Sequence, residues 1–225
     1  MQLKTAAAVG ALSIILVCLG ASGQVAAPDP DTHPRPAKTM PPRAAPTDYQ
    51  AHAQAGPITI AAEFDANSVP APEAVYSNED YITVEAAVYG PPGARLKLSL
   101  EDFGIRLNGK KSASPAKPYE MLFKSLKDPS WLPPVDEDSK SKGSGGLNTG
   151  GDKEIGDSIK PIVHMPPAMQ RAMELNVQNA SFPEGDRTLP QAGLLYFSYA
   201  GNANKLRSIE LDYTGPAGKA SLTLK

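Results

Sequence analysis

The sequence predicts an all-β domain, an antiparallel β-sandwich that carries one inserted amphipathic helix and a disordered loop. Three observations lead there. Between Tyr81 and Lys110 the apolar residues alternate in three runs: Ile82, Val84, Ala86 and Val88, then Leu96, Leu98 and Leu100, then Phe103, Ile105 and Leu107. The last third does the same with Leu195, Phe197 and Tyr199, with Ile209, Leu211 and Tyr213, and with Ala220, Leu222 and Leu224. Period-two alternation describes half-buried strands with one face on a core and one in water. Frequent turn residues, 23 Pro and 19 Gly in 225, separate these runs at the spacing of a sandwich.

Taken in order, residues 1–23 read as a signal peptide. Lys4 is the basic flank, Ala6 to Leu19 the apolar stretch, and Ala21-Ser22-Gly23 the small-residue cleavage site. The alternative is an uncleaved N-terminal anchor, the one route by which this sequence would touch a membrane. Cys18, the single cysteine, leaves with that peptide, so the mature chain would hold no disulfide, thiolate nucleophile or Cys-ligated metal. Residues 24–57 read as a proline-rich disordered linker, since Pro28, Pro30, Pro34, Pro36, Pro41, Pro42 and Pro46 leave no apolar periodicity.

The folded domain is expected over 58–225. Ile58, Ile60, Ala62 and Phe64 alternate as a first strand, and Asn67 to Asp80 reads as a loop because Pro70 and Pro72 oppose ladder pairing. Gly90-Pro91-Pro92-Gly93 makes a turn. Ser99-Leu100-Glu101-Asp102 has capping-box spacing for one helical turn, and Asn108-Gly109 closes the strand Phe103–Leu107. Residues 111–187 read as an insertion. Within it Tyr119 to Lys124 suggests a short strand, 136–160 is low-complexity and expected to be disordered, and a helix spans 166–181. Pro166-Pro167 opens that helix; Met169, Ala172, Met173, Asn176, Val177 and Ala180 make its packing face.

Two stretches carry a family resemblance. They are Asp80-Tyr81-Ile82-Thr83-Val84-Glu85 and Leu98-Ser99-Leu100-Glu101-Asp102-Phe103, the latter followed by Asn108-Gly109-Lys110. Their order, a long alternating strand, an S-x-x-D-F turn, a strand and a tight Gly-Lys turn, resembles the bacterial telokin-like, immunoglobulin-type domains of unknown function found on exported proteins. Leu189 to Phe197 is similar to that family's Pro-Gly segment and return strand, although here it reads Pro-Gln-Ala-Gly, and the 111–187 insertion exceeds the plain domain. About half of the mature chain is covered, and the chain also resembles uncharacterised secreted proteins of soil bacteria. The resemblance implies an immunoglobulin-like fold and a periplasmic, cell-envelope or extracellular location. It implies no catalytic residue.

Composition excludes some chemistry. With 22 Lys and Arg against 24 Asp and Glu, net charge is −2 and no basic stripe marks a nucleic-acid partner. His33, His52 and His164 have no G-x-S-x-G elbow beside them, so no hydrolytic triad is drawn and no catalytic residue is assigned. The carboxylate pairs Glu101/Asp102 and Glu184/Asp186 fit turns as well as they fit acid–base work. Asp136, Asp138, Asp152, Glu154 and Asp157 fail the EF-hand spacing and are interleaved with lysine, so no metal or cofactor is assigned. Asn179-Ala180-Ser181 is a sequon that falls at the helix end. Binding is the function class the residues favour. Tyr81, Tyr89 and Tyr196 on outward strand faces, with Trp131 and Leu132 in Trp-Leu-Pro-Pro, are the candidate contacts. The expectation is a non-enzymatic interaction or structural module whose partner is another envelope or extracellular protein. A polysaccharide stacked on these aromatics is the alternative, and a hydrolase using His164 or a carboxylate pair is the weaker one.

Overall fold

A computed structural model describes residues 40–132 and 164–225; the signal stretch 1–23, the chain up to residue 39 and the 136–160 loop lie outside the described residues. In chain order β1 (Ala51–Ala55) and β2 (Ile58–Ala66) form a hairpin, and β3 (Ser68–Ala71) and β4 (Ala74–Asn78) a second one. Then come β5 (Tyr81–Tyr89), β6 (Arg95–Leu98), β7 (Phe103–Leu107), β8 (Ser114–Pro115) and β9 (Leu126–Lys127). Helix α1 (Pro167–Ala180) precedes β10 (Gly185–Thr188), β11 (Gln191–Ser198), β12 (Ile209–Gly215) and β13 (Gly218–Thr223). The described chain is therefore mostly β, with one α-helix.

Two antiparallel four-stranded sheets share the main core. The first has the order β1-β2-β5-β11 and the second β13-β12-β7-β8. Ile60, Ala62, Ile82, Val84, Leu195 and Phe197 from the first meet Phe103, Ile105, Ile209, Leu211 and Leu222 from the second. These are the alternating positions of the sequence, and sheet pairing places each set on one face. A 3-10 turn at Leu100–Asp102 delivers Phe103 into the core; Ser99 caps it by accepting the Glu101 N–H at 3.3 Å. At Asn108-Gly109 both φ angles are positive (52° and 71°), the geometry an Asn-Gly hairpin turn needs.

The first sheet departs from the half-buried expectation. Every residue of β5 from Tyr81 to Val88 is buried, because the face turned away from the main core is also covered. At one end of that face α1 packs through Met173, Val177 and Ala180, with Val69, Tyr76 and Leu122, onto Tyr81, Leu194 and Tyr196. At the other end Ala61, Ala87 and Ala192 stand in one row across three strands, and Tyr49 lies in the shallow bed they leave. Alternation reports which residues share a face. It cannot report that distant segments cover both faces.

Four further expectations are corrected. The linker's extension to residue 57 and the 58 domain start do not hold, because residues 40–50 run over the first sheet as a strap and β1 follows; residues 24–39 lie outside the described residues. Pro46 fits the first position of a 3-10 turn (Pro46–Asp48), and the alternating residues of β1 are alanines, too small to register as a hydrophobic run. Residues 67–80 are a hairpin rather than a loop; Pro70 pairs opposite Val75 because β3 is an edge strand, where a missing N–H breaks no ladder. Tyr119–Leu122 is a 3-10 turn behind Pro118, not a strand. The 111–187 stretch is also more than an insertion, since β8 joins the second sheet, β9 joins β4, and β10 pairs with β6.

The hairpin turns of β1–β2 and β12–β13 meet at Gly56. Its φ is +59°, and a Cβ there would lie 2.2 Å from the Ala217 carbonyl oxygen. Gly56→Ala is therefore strained in its backbone and also collides with main chain. It is expected to cost about 2 kcal/mol, read as a lowered urea midpoint at unchanged slope; a neutral result would show that these turns are not in contact.

Candidate functional site

Two places on the covered face of the first sheet bring polar chemistry together. The first is a cleft of about 490 Å³ between the end of α1 and the Lys117–Glu120 segment. Its floor is Phe182, Leu194 and Tyr196; Lys117, Glu120, Glu184 and Arg187 give it charge, and Leu175 and Tyr119 give it apolar wall. The walls are held by main-chain bonds to the β11 edge: Lys117 N–H donates to the Tyr196 carbonyl at 2.7 Å, and Phe182 N–H to the Leu194 carbonyl at 3.0 Å. Leu175 is 55% exposed and Met121, beside Glu120, 52%. Leu175 stands on the cleft wall beside its apolar floor, whereas Met121 does not line the cleft. In the floor, Ser181 Oγ donates to the Val177 carbonyl at 2.7 Å, so the Tyr196 hydroxyl is the donor in its 3.2 Å bond to Ser181 Oγ. Burial pushes that phenol well above its ordinary range, and it stays a neutral donor.

The second place lies between the helix-covered and strap-covered ends of the same face. Glu63 of β2 and Glu85 of β5 stand directly opposite each other in the ladder. Like charges so placed repel. Arg43 of the strap answers both: one guanidinium nitrogen binds Glu63 and the other binds Glu85 at 2.7 Å. Arg43 also donates to the Asp48 carbonyl at 2.7 Å, stacks 4.4 Å from the Tyr49 ring centroid, and its own carbonyl accepts the Tyr89 hydroxyl at 2.7 Å. Desolvation pulls its basicity down, but the hydrogen bonds to Glu85 and Glu63 win and raise it. Asp65 stands beside this group at a bulge between Phe64 and Ala66, and Ala66 takes φ +55°. The bulge leaves Asp65 Oδ2 buried with no hydrogen-bond partner.

The residues expected to bind are scattered. Tyr81 and Tyr196 do lie on the outward face of the first sheet, but α1 and the β3–β4 hairpin cover them, so no exposed tyrosine stripe exists. Tyr89 is half-buried under the strap. Trp131 is half-buried, its main-chain N–H on the Asp128 carbonyl at 3.2 Å, and Leu132 is 80% exposed; neither lines the cleft. Of the five, Tyr196 alone reaches it, as floor.

The other sequence candidates sit in structural roles. Glu184 Oε1 accepts the Leu100 N–H at 3.1 Å and Asp186 pairs with Arg95 at 2.9 Å. His164 and His52 are exposed on separate segments, and His33 lies outside the described residues. Among the described residues no three His, Cys, Asp or Glu side chains are placed to hold a metal, and no helix is long and apolar enough to cross a membrane. Asp136 to Asp157 lies outside the described residues. Sequence reasoning missed the Arg43 group because Arg43 lay in the supposed linker; a Glu at an outward position of each of two strands was its one visible trace. Comparison with known families, curated proteins and solved structures finds no match for this chain.

Proposed function

We propose that this chain is an exported, non-enzymatic module of immunoglobulin-like type that receives a partner protein in the cleft beside α1. The observation that carries the reading is Leu175, more than half exposed on the wall of a cleft floored by Phe182, Leu194 and Tyr196. An exposed leucine beside a desolvated floor suits a side-chain anchor from a second protein, and the mixed charges around it suit a polar rim.

Strand order supports the immunoglobulin-like part. A β1-β2-β5-β11 sheet faces a β13-β12-β7-β8 sheet, with the chain crossing between them after β5, β8 and β11; apart from the extra edge strand β1, this resembles the plan in which a three-strand sheet faces a four-strand one. The plan's disulfide and strand-borne Trp are absent; Phe103, Phe182 and Tyr213 occupy the centre in their place. Export rests on the sequence of residues 1–23, and an envelope or extracellular protein is the partner that follows from it. The polysaccharide alternative needs an aromatic platform, and the burial of Tyr81 and Tyr196 takes most of it away.

Photo-crosslinking from position 175 of the chain in its own envelope fraction tests the reading. A discrete adduct with a second protein is expected, reduced at least tenfold by Glu120→Lys together with Arg187→Glu on the rim. Val75 is 59% exposed on β4 and does not line the cleft, so it serves as the control. Equal crosslinking from positions 75 and 175 would refute the cleft, and retention on polysaccharide columns would favour the alternative.

A further inference from the structure

We propose that the carboxyl groups of Asp65, Glu63 and Glu85, crowded on one face of the first sheet around the guanidinium of Arg43, act as a proton-operated stabiliser: folding takes up a proton here, and the domain weakens as the medium moves from mildly acidic to neutral.

The geometry comes first. Three acidic side chains from two neighbouring strands share one patch, and the cation that faces them already spends both terminal nitrogens on Glu63 and Glu85. Asp65 Oδ2 is left buried without a partner. On β5, Thr83 is fully buried and its Oγ1 is likewise unpaired. The charged groups around Asp65 are Glu63 on its own strand, Glu85 across the ladder and Arg43 from the strap. From β3 and β11 the same side of the sheet receives Val69, Leu194 and Tyr196, which carry no charge. A half-buried carboxylate with one oxygen sealed from water, two negative neighbours and a shared cation is costly, and a neutral carboxyl in that place costs far less.

Burial, then the Glu85 and Glu63 charges, outweigh Arg43 and a main-chain hydrogen bond from Glu85, and move the Asp65 carboxyl up to about 7 from 3.8. The sign follows from linkage. Below about pH 4 Asp65 is protonated in both folded and unfolded chains, and between there and about pH 7 the folded chain alone holds the proton. Stability present in acid is therefore lost as pH rises through this window, and above it the loss is complete.

The test is urea unfolding of the full chain at pH 5, 6, 7 and 8, with Asp65→Asn beside the wild type. The wild-type midpoint is expected to fall by about 1 M across that range. The Asn variant, neutral and nearly isosteric, should hold a flat midpoint near the wild-type value at pH 5. A flat wild-type profile, or equal slopes for the two proteins, would overturn the proposal. Should the variant not fold, the carboxyl carbon of Asp65 followed by NMR in the native wild type decides: a titration midpoint near 7 supports the proposal, and one below 5 ends it. Neither measurement involves a partner, so the outcome is independent of the cleft.

Discussion

Truncation of Phe103 to alanine is expected to remove about 3–5 kcal/mol, a large part of the roughly 5–15 kcal/mol by which a domain is stable. Phe103 is 1% exposed and opens β7 opposite Tyr213. Its ring meets Phe182 edge-on at 5.0 Å and Tyr213 at 5.2 Å. Phe182 belongs to the segment that leaves α1, so one ring joins the second sheet to the chain that carries the helix. The hole left by alanine would loosen that junction as well as the core. Phe103→Leu keeps most of the volume and should lose about 1.5 kcal/mol. Urea unfolding read by tyrosine fluorescence separates the two variants. A loss under about 1 kcal/mol for the alanine variant would mean that the ring is not at the centre.

Arg43→Ala should be the largest effect outside the main core, about 2–3 kcal/mol once the solvent-reached third of the side chain is discounted. Glu85 is 8% exposed and would be left facing Glu63 with no cation between them. The strap would also lose the group that fixes it at Asp48 and Tyr49. A cycle with Glu63→Gln and Glu85→Gln gives the check. If stranded carboxylates are the cause, the triple variant should recover more than half of the loss, whereas a loss unchanged by the glutamines would assign it to the packing of the strap alone.

Much of the sheet framework was legible because β2, β5, β7, β11 and β12 each turn large apolar residues to one side at every second position. Helix α1 was legible for the same reason at a different period, and Pro167–Ala180 lies one residue inside the expected span at each end. What escaped notice lacks a period. The two-residue strands β8 and β9 have none, β1 turns only alanines inward, and Pro70 disguises β3. The candidate sites escaped for a different reason. The Arg43 bridge to Glu85 spans 42 residues, and the cleft is assembled from segments near 117, 175 and 187, whose meeting depends on the pairing of strands elsewhere.

Both borders of the first sheet are occupied. On one side the β11 carbonyls of Leu194 and Tyr196 already accept from Phe182 and Lys117; on the other, β1 lies against β13, with Gln50 reaching the Leu224 carbonyl. An incoming strand would have to displace these neighbours before it could pair with the sheet, which disfavours strand donation and fibre templating. Recognition through side chains is favoured instead, and it is sensitive to single substitutions in a way that main-chain zippering is not.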